Sequence, residues 1–365
     1  MSVIMRNICG GGSGSSSSKG FPPGDISNIS IRSGYKCVKI KWADPGTSVY
    51  NGTTLSTWSS TIIVRKEGSA PTSIKDGTVV LTNTTKNKYK DTEFTDNNVV
   101  VGKTYYYRFY TMSTNKVYND STSMIGSVKV FAADSILKNN TWEQINAVSE
   151  AGIASSLWKI GDEIDLILKH KETATIYDQT VTLQIWDFNH FDKSDGSGKA
   201  GICFGMKNLM KDTFDFAGAY ADWEVNSSIH PFMNRLFDDY IPSDLQSYIK
   251  QVNLYTYCGS GSPATGTLTK DKIFLPGAAE VDKTGPGEYT GDKQQELNQK
   301  QFPIFTDNNS RIKKLSNGSG SDYGWWTRST VYGDYGHIYC IGGGGGVYSS
   351  YSYDTENGLC FCFNV

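Results

Sequence analysis

The sequence predicts a multidomain chain: a short N-terminal peg and linker over residues 1–20, an all-β sandwich over 21–134, and an α+β domain over 135–365. Three observations predict it. From Phe21 to about Ala133, short runs of alternating apolar residues are separated by turn clusters. From Thr141 onward, apolar residues recur at helical spacing behind capping signatures. Strand-like runs are interleaved with those helices almost to the last residue, the pattern of helices packed on a mixed sheet.

The 365 residues, 38% of them hydrophobic, suffice for the cores of two or three domains. Lys+Arg of 35 against Asp+Glu of 37 leave no positive surplus to attract a nucleic-acid backbone or an anionic membrane, so no nucleic-acid partner is expected. The opening MSVIMRNICGGGSGSSSS lacks an apolar signal-peptide core, and nowhere do about 18 apolar residues run together. Neither Sec export nor membrane insertion is expected. The seven cysteines (Cys9, Cys37, Cys203, Cys258, Cys340, Cys360, Cys362) are odd in number, scattered and without a CxxC pair. They read as free, mostly buried thiols of a protein made in a reducing cytoplasm.

Residues 9–20 form a Gly/Ser linker behind a short peg. Such a peg either docks the chain onto a larger assembly or is a leader without a partner.

In the β region, Val38, Ile40 and Trp42 share one face of a strand ending at the turn Ala43-Asp44-Pro45-Gly46. Ile62 and Val64 begin another strand, and Tyr105, Tyr107 and Phe109 alternate along a third. The spacing predicts two packed sheets. On these residues the region resembles a fibronectin type III domain: "VKIKWADP" is similar to its strand-B tryptophan stretch, and "DTEFTDNNVVVGKTYYYRFYTMS" to its E–F corner and strand F. The resemblance implies a spacer.

A helix follows, with Thr141 and Gln144 as a capping box and Trp142, Ile145 and Val148 on one face before Gly152. A second carries the stripe Ile229, Phe232, Met233, Leu236, Phe237 and Tyr240 after the cap candidates Ser227 and Ser228. A third is read from the capping pair Ser243 and Gln246, with Leu245, Ile249 and Val252 apolar. Between and after them, Val181, Leu183 and Ile185 alternate before Trp186, and Ile202 and Phe204 mark another strand. Lys272–Pro276 and the closing Leu359–Phe363 read as short buried strands.

Four ordered segments, "NNTWEQINAVSEAGIASSLWKIGDEIDL", "IWDFNHFDKSDGSGKAGICFGMKNLM", "SRIKKLSNGSGSDYGWWTRS" and "NGLCFCF", resemble the DUF6273 family across residues 139–363. That family is common in gut bacteria, prophages and phage tail genes. The Trp325-Trp326-x-Arg328-Ser329 step, a following loop and a last core strand resemble the C-type-lectin-like fold of phage receptor-binding tips and of variable proteins of diversity-generating retroelements. Between Arg328 and Glu356 the sequence STVYGDYGHIYCIGGGGGVYSSYSYDT lacks Lys, Glu, Gln, Met and Trp. Every residue in it arises from an Asn codon by replacing adenines, as such retroelements do.

The same stretch has the composition of an antibody-like paratope. Tyrosine offers a large amphipathic contact that freezes only two torsions, while Ser and Gly supply adaptable hydrogen bonds. Tyr332, Asp334, Tyr335, His337, Tyr339, Tyr348, Ser349, Ser350, Tyr351, Tyr353 and Asp354 are the expected receptor-binding residues, in a loop from about Thr330 to Thr355. Against this stands a floppy low-complexity tail, which Gly342–Gly346 favours.

Candidate chemistry is sparse. Asp187, Asp192, Asp195, Asp222 and Glu224 supply carboxylates for glycoside hydrolysis, but nothing marks two as a pair. The stretch from Asp192 to Gly198 departs from a calcium loop and places Cys203 where the last ligand belongs, so it reads as a turn. The Glu-Pro-Asn, Gln-Pro-Asp and Trp-Asn-Asp motifs of calcium-dependent lectins are missing. His170, His190, His230 and His337 lack zinc spacing, and no Ser or Cys sits in a nucleophile motif. Cys360 and Cys362 invite a redox comparison, but read as packing in a strand buried on both faces.

These readings lead to the expectation of a non-enzymatic phage tail fibre or tail-tip adhesin in the virion, without cofactor or metal. Its partner is a bacterial cell-surface protein or glycan, and its N-terminal region meets other tail proteins. A homo-oligomer of several copies, with a trimer as one arrangement, is expected because weak contacts gain from multivalency. The alternatives are a surface-glycan hydrolase with a lectin-like targeting domain, and a structural particle decoration protein.

Overall fold

The computed structural model describes residues 20–218, 223, 226–256, 267–284, 299–331, 334, 336–353 and 357–365. Among the expected functional residues, Tyr332, Tyr335, Asp354, Asp222, Glu224, Cys9 and Cys258 lie outside these, as does the linker up to residue 19. The chain divides into two compact units between Ala132 and Ala133. Strands dominate both, and no helix among the described residues is long and apolar enough to cross a membrane.

The first unit is a two-sheet sandwich. One sheet orders Ser27–Gly34, Cys37–Ala43 and Phe94–Asp96; the other orders Ile125–Lys129, Thr104–Ser113, Trp58–Glu67 and Thr78–Asn83. All these neighbours are antiparallel. Val38, Ile40 and Trp42 from the first sheet meet Ile63, Tyr105, Tyr107 and Phe109 from the second in one core. Period-two alternation puts each set on a single face, and burying both faces together removes their apolar surface from water.

Several buried polar groups of the sandwich are paired. Asp44 Oδ1 accepts from Trp42 Nε1 at 2.9 Å and from Thr61 Oγ1 at 2.6 Å, while its Oδ2 accepts from Asn87 N at 2.7 Å. The Tyr105 hydroxyl accepts from Val100 N at 3.1 Å, five residues upstream, fixing the corner where the chain crosses between sheets. One reading changes. The strand carrying Ile62 and Val64 starts earlier, at Trp58, and it is Ile63 that faces the main core. Ile62 and Val64 pack with Tyr110 and Ile74 on the opposite face, where Arg108 Nη1 grips the carbonyls of Pro71 and Thr72. Both faces are therefore apolar, and alternation could not tell them apart.

The second unit is built on a five-stranded sheet in the order Glu163–Leu168, Gln179–Phe188, Ile202–Met206, Cys362–Asn364, Ile273–Phe274. Its neighbours are antiparallel throughout. The C-terminal strand sits inside the sheet, so the run from Leu359 to Phe363 is buried on both sides, as its composition predicts. Pairing continues before the strand proper through Met206 N to Phe361 O and Met210 N to Leu359 O. Gly205 leaves room for Trp186: a Cβ there would lie 2.1 Å from the indole ring, a clash.

Helix Trp142–Glu150 forms with both capping-box bonds, Gln144 N to Thr141 Oγ1 and Thr141 N to Gln144 Oε1, and Trp142 meets Phe204 and Phe363 edge-on. Ile229–Arg235 continues into a π-helical turn over Leu236–Tyr240, with Ser227 Oγ accepting from the N–H groups of Ile229 and His230. The third capping box is not there. Ser243–Gln246 is a single turn entered from Pro242, and the Gln246 amide donates to the carbonyls of Phe237 and Asp238. Leu245, Ile249 and Val252 are nevertheless buried, with Val252 opening the strand Val252–Thr256.

Candidate functional site

The expected terminal loop is largely a three-stranded antiparallel sheet of Trp325–Thr330, His337–Ile341 and Val347–Tyr351. Its first strand is an interior anchor. Every residue from Trp325 to Thr330 is buried; Trp325 Nε1 donates to Arg311 O at 3.1 Å and Trp326 Nε1 to Phe214 O at 2.7 Å. Arg328 is fully buried and makes a fork-on-fork ion pair with Glu280, Nη1 to Oε2 at 2.7 Å and Nη2 to Oε1 at 2.6 Å. Its remaining donors reach Thr256 Oγ1, Leu275 O and Gln299 Oε1. A desolvated guanidinium is tolerated because all sides of its fork are paired.

The glycine run is a packed turn. Gly342 N donates to Gly346 O and Gly345 N to Gly342 O, both at 2.8 Å. Gly345 has φ +80, and a Cβ on it would collide with the Asn308 carbonyl. Only glycine satisfies both conditions, so at Gly345 the glycine is a steric requirement.

Pleating then sorts the expected binding residues. His337 pairs across from Tyr351 and Tyr339 from Ser349, so these four project to one face. Ile338 and Cys340 point the other way and are completely buried, as is Ser350 to within 9%. Tyr348 also lies on that inner side at the sheet edge, its hydroxyl 3.2 Å from Asn357 Oδ1. On the outer face the aromatic rings form a continuous row. The His337 ring lies 4.1 Å from that of Tyr351, and Tyr351 stacks on Tyr353 at 5.1 Å with planes 22° apart. Tyr351 and Tyr353 remain 51% and 57% exposed, far more than a residue kept for core packing.

Asp334 completes the row, its Oδ2 2.7 Å from His337 Nδ1. That contact, over a small opposing effect of burial, holds the Asp334 carboxyl below the usual carboxylate range. The structure thus brings together Asp334, His337, Tyr339, Ser349, Tyr351 and Tyr353, and sets Ser350 and Tyr348 apart. The alternation of apolar Ile338 and Cys340 with polar neighbours is the sequence signal for this sorting.

The candidate carboxylates serve other ends. Asp192 pairs with Lys199 at 3.0 Å, and Asp195 Oδ1 accepts from Ser197 N at 2.8 Å within a turn closed by Lys193 N to Gly198 O. Asp187 binds His190 and Lys300, and Asp271 binds His230, Thr269 and Trp223 Nε1. Among the described residues no group of three His, Cys, Asp or Glu side chains is placed to hold a metal. Cys37, Cys203, Cys340, Cys360 and Cys362 are buried and form no disulfide. Burial pushes the Cys360 thiol up to about 11, which leaves it protonated and unreactive at neutral pH.

Comparison with known proteins bears on this unit. Residues 208–365 match the family model described as "Domain of unknown function (DUF6273)". They are a DUF6273 domain. The DUF6273 stretch contains the whole terminal sheet and the strands Ile273–Phe274 and Cys362–Asn364, while three strands of the central sheet, beginning at Glu163, precede it. The structural unit around DUF6273 is therefore larger than the matched stretch. The chain is also similar to a solved structure titled "The crystal structure of a Fn3-like protein from Clostridium thermocellum", at 19% identity over 31% of this chain and 99% of that one, with a TM-score of 0.21. No curated protein matches the chain.

Proposed function

We propose that the chain is a phage-type tail adhesin that binds a bacterial surface protein or glycan through the outer face of its terminal sheet, without catalysis. One observation carries the reading: His337, Tyr339, Ser349, Tyr351 and Tyr353 gather on one face, while Ile338, Cys340, Ser350 and Ser352, which alternate with them, are buried. Rigid aromatic rings bury large amphipathic areas at little entropic cost, and an already ordered sheet avoids the cost of arranging them on binding. The sandwich serves as a spacer, and the N-terminal peg joins other tail proteins, with several copies per particle adding avidity.

The finer resemblance, a C-type-lectin-like receptor-binding tip, belongs to the same proposal. So does its diversification: among the adenine-writable residues, His337, Tyr339, Ser349, Tyr351 and Tyr353 stand on the outer face, where exchange leaves the buried Ile338, Cys340 and Ser350 in place. A near-copy of the terminal coding sequence beside a reverse-transcriptase gene in the source genome supports diversification; a genome with neither removes it. The binding claim is tested by adsorption to a panel of gut bacterial strains. Tyr351→Ala with Tyr353→Ala is expected to abolish adsorption while the protein stays folded, and undiminished adsorption of a folded double variant overturns the claim.

A further inference from the structure

The strands that carry the aromatic face are flanked by a second segment of the same unit. Ala217 N donates to Ser352 O at 2.8 Å and Phe214 N to Asn357 O at 3.0 Å, while Thr213 forms a β-bridge with Gly358. Ser228 N returns to Phe216 O at 2.8 Å, tying the far end of that segment to the same place. The chain around Phe214 therefore lies alongside the chain that leads out of the aromatic row.

Neither segment carries a base. From Asp212 to Ser228 the sequence holds Asp212, Asp215, Asp222 and Glu224 and no Lys or Arg. From Ser329 to Val365 it holds Asp334, Asp354 and Glu356, again with no Lys or Arg. Asp222, Glu224, Asp354 and Glu356 lie outside the described residues and enter by their charge alone. The bases at the borders are committed: Lys211 Nζ donates to Asp178 O at 3.0 Å, and Arg328 is paired with Glu280. Near the glycine turn, Lys314 faces Asp322 at 3.7 Å and Arg311 is buried against Asp282 at 2.5 Å. The whole chain balances 35 Lys and Arg against 37 Asp and Glu, so its negative charge is concentrated at this end. Counting His337 as a cation does not remove the excess. Such a field draws cationic groups in and turns anionic ones away.

The row itself favours the same groups. Asp334, with a side chain 49% exposed, is kept ionised at neutral pH by its contact with His337. Tyr351 and Tyr353 stand about half exposed, and the face of a tyrosine ring attracts ammonium and guanidinium groups through its quadrupole. Several rings spaced along a flat pleated sheet meet several side chains at once, as in protein interfaces, where Tyr and Arg are over-represented. A surface glycan bearing phosphate or uronate meets a repulsive field instead.

We propose that the outer face of the terminal sheet takes a protein surface bearing exposed Lys and Arg, whose cationic groups lie on Tyr351 and Tyr353 beside Asp334. The proposal rests on the adhesin reading and names the chemistry of its partner.

Panning a random dodecapeptide library on the full chain, with the folded Tyr351→Ala, Tyr353→Ala variant as counter-selection, tests it. The recovered peptides are expected to be enriched at least about twofold in Arg and Lys over the input library. Their binding should fall about tenfold further with Ser349→Lys than with Ser349→Glu, two changes at one exposed position that differ in the sign of the charge. Raising the salt from about 50 to about 500 mM should narrow that gap. On cells of an adsorbing strain, stripping surface proteins with proteinase should abolish adsorption. An empty pool, a pool without Arg and Lys enrichment, or equal or reversed effects of the two Ser349 changes would overturn the proposal and leave the adhesin reading standing. Adsorption that survives proteinase would do the same and make the partner a glycan. Undiminished adsorption by the folded Tyr351 and Tyr353 variant overturns the adhesin reading, and this proposal with it.

Discussion

Ser349 and Ser350 are adjacent in the chain and stand on opposite faces of the terminal sheet: Ser349 is exposed across from Tyr339, and Ser350 is buried across from Ile338. A tyrosine is therefore expected to be tolerated at one and not at the other. Ser349→Tyr should change stability by less than about 0.5 kcal/mol, and Ser350→Tyr should cost about 1–3 kcal/mol through overpacking. Urea denaturation of the two variants checks the pair, and equal losses would mean that the face assignment is wrong.

Gly345→Ala should be costly for its size. The residue combines φ +80 with backbone contact to Asn308, so the methyl group forces both an unfavourable dihedral and a displaced turn. The expected loss is about 1–3 kcal/mol, read as a lowered midpoint in thermal denaturation. Gly344→Ala, with open space around its Cβ, is the control and should stay near wild type.

Arg328 and Glu280 are both 0% exposed and face each other at 2.6 Å. Arg328→Met should destabilise by about 3–5 kcal/mol because it strands a buried carboxylate. Adding Glu280→Leu to it should restore part of that loss, and a double-mutant cycle by chemical denaturation measures how much. If the double variant is less stable than Arg328→Met alone, the stranded charge is not the cause.

Acid should weaken the second unit. Burial raises Asp187 and Asp271, yet the hydrogen bonds from His190 and Lys300 to the first, and from His230 and Thr269 to the second, leave both below the usual carboxylate range. With folded values under the unfolded value of about 3.9, the unfolded chain binds more protons in that region. The stabilisation is then present above about pH 4 and is lost as pH falls through the folded values. Denaturation followed from about pH 5 to 2 should show this fall, and Asp271→Asn should flatten it; parallel curves would contradict the assignment.

Local signals in the sequence survived best. Thr141 and Gln144 lie three residues apart, and both of their capping bonds form because the partners meet within one turn of chain. Val38, Ile40 and Trp42 announced a core face by alternation alone. Ser243 and Gln246 have the same spacing as the true box, but the Gln246 amide finds carbonyls at Phe237 and Asp238 in the preceding turn, a tertiary choice that spacing does not encode. Glu280, 48 residues from Arg328, gave no sign of being its partner. The exposed aromatic row of the terminal stretch was legible from its tyrosines, yet its strands were hidden by the glycines that make the turn between them. His190 was legible only as one of four scattered histidines, because its contacts to Asp187 and Phe302 arise from tertiary packing.

The claim that the outer face of the terminal sheet contacts the receptor is tested most directly by hydrogen–deuterium exchange. The full chain is compared free and bound to the envelope fraction of a strain that it adsorbs to. The account predicts slowed exchange in peptides covering 337–353 and unchanged exchange across the sandwich strands 27–129; protection confined to the sandwich, with 337–353 unchanged, would contradict it.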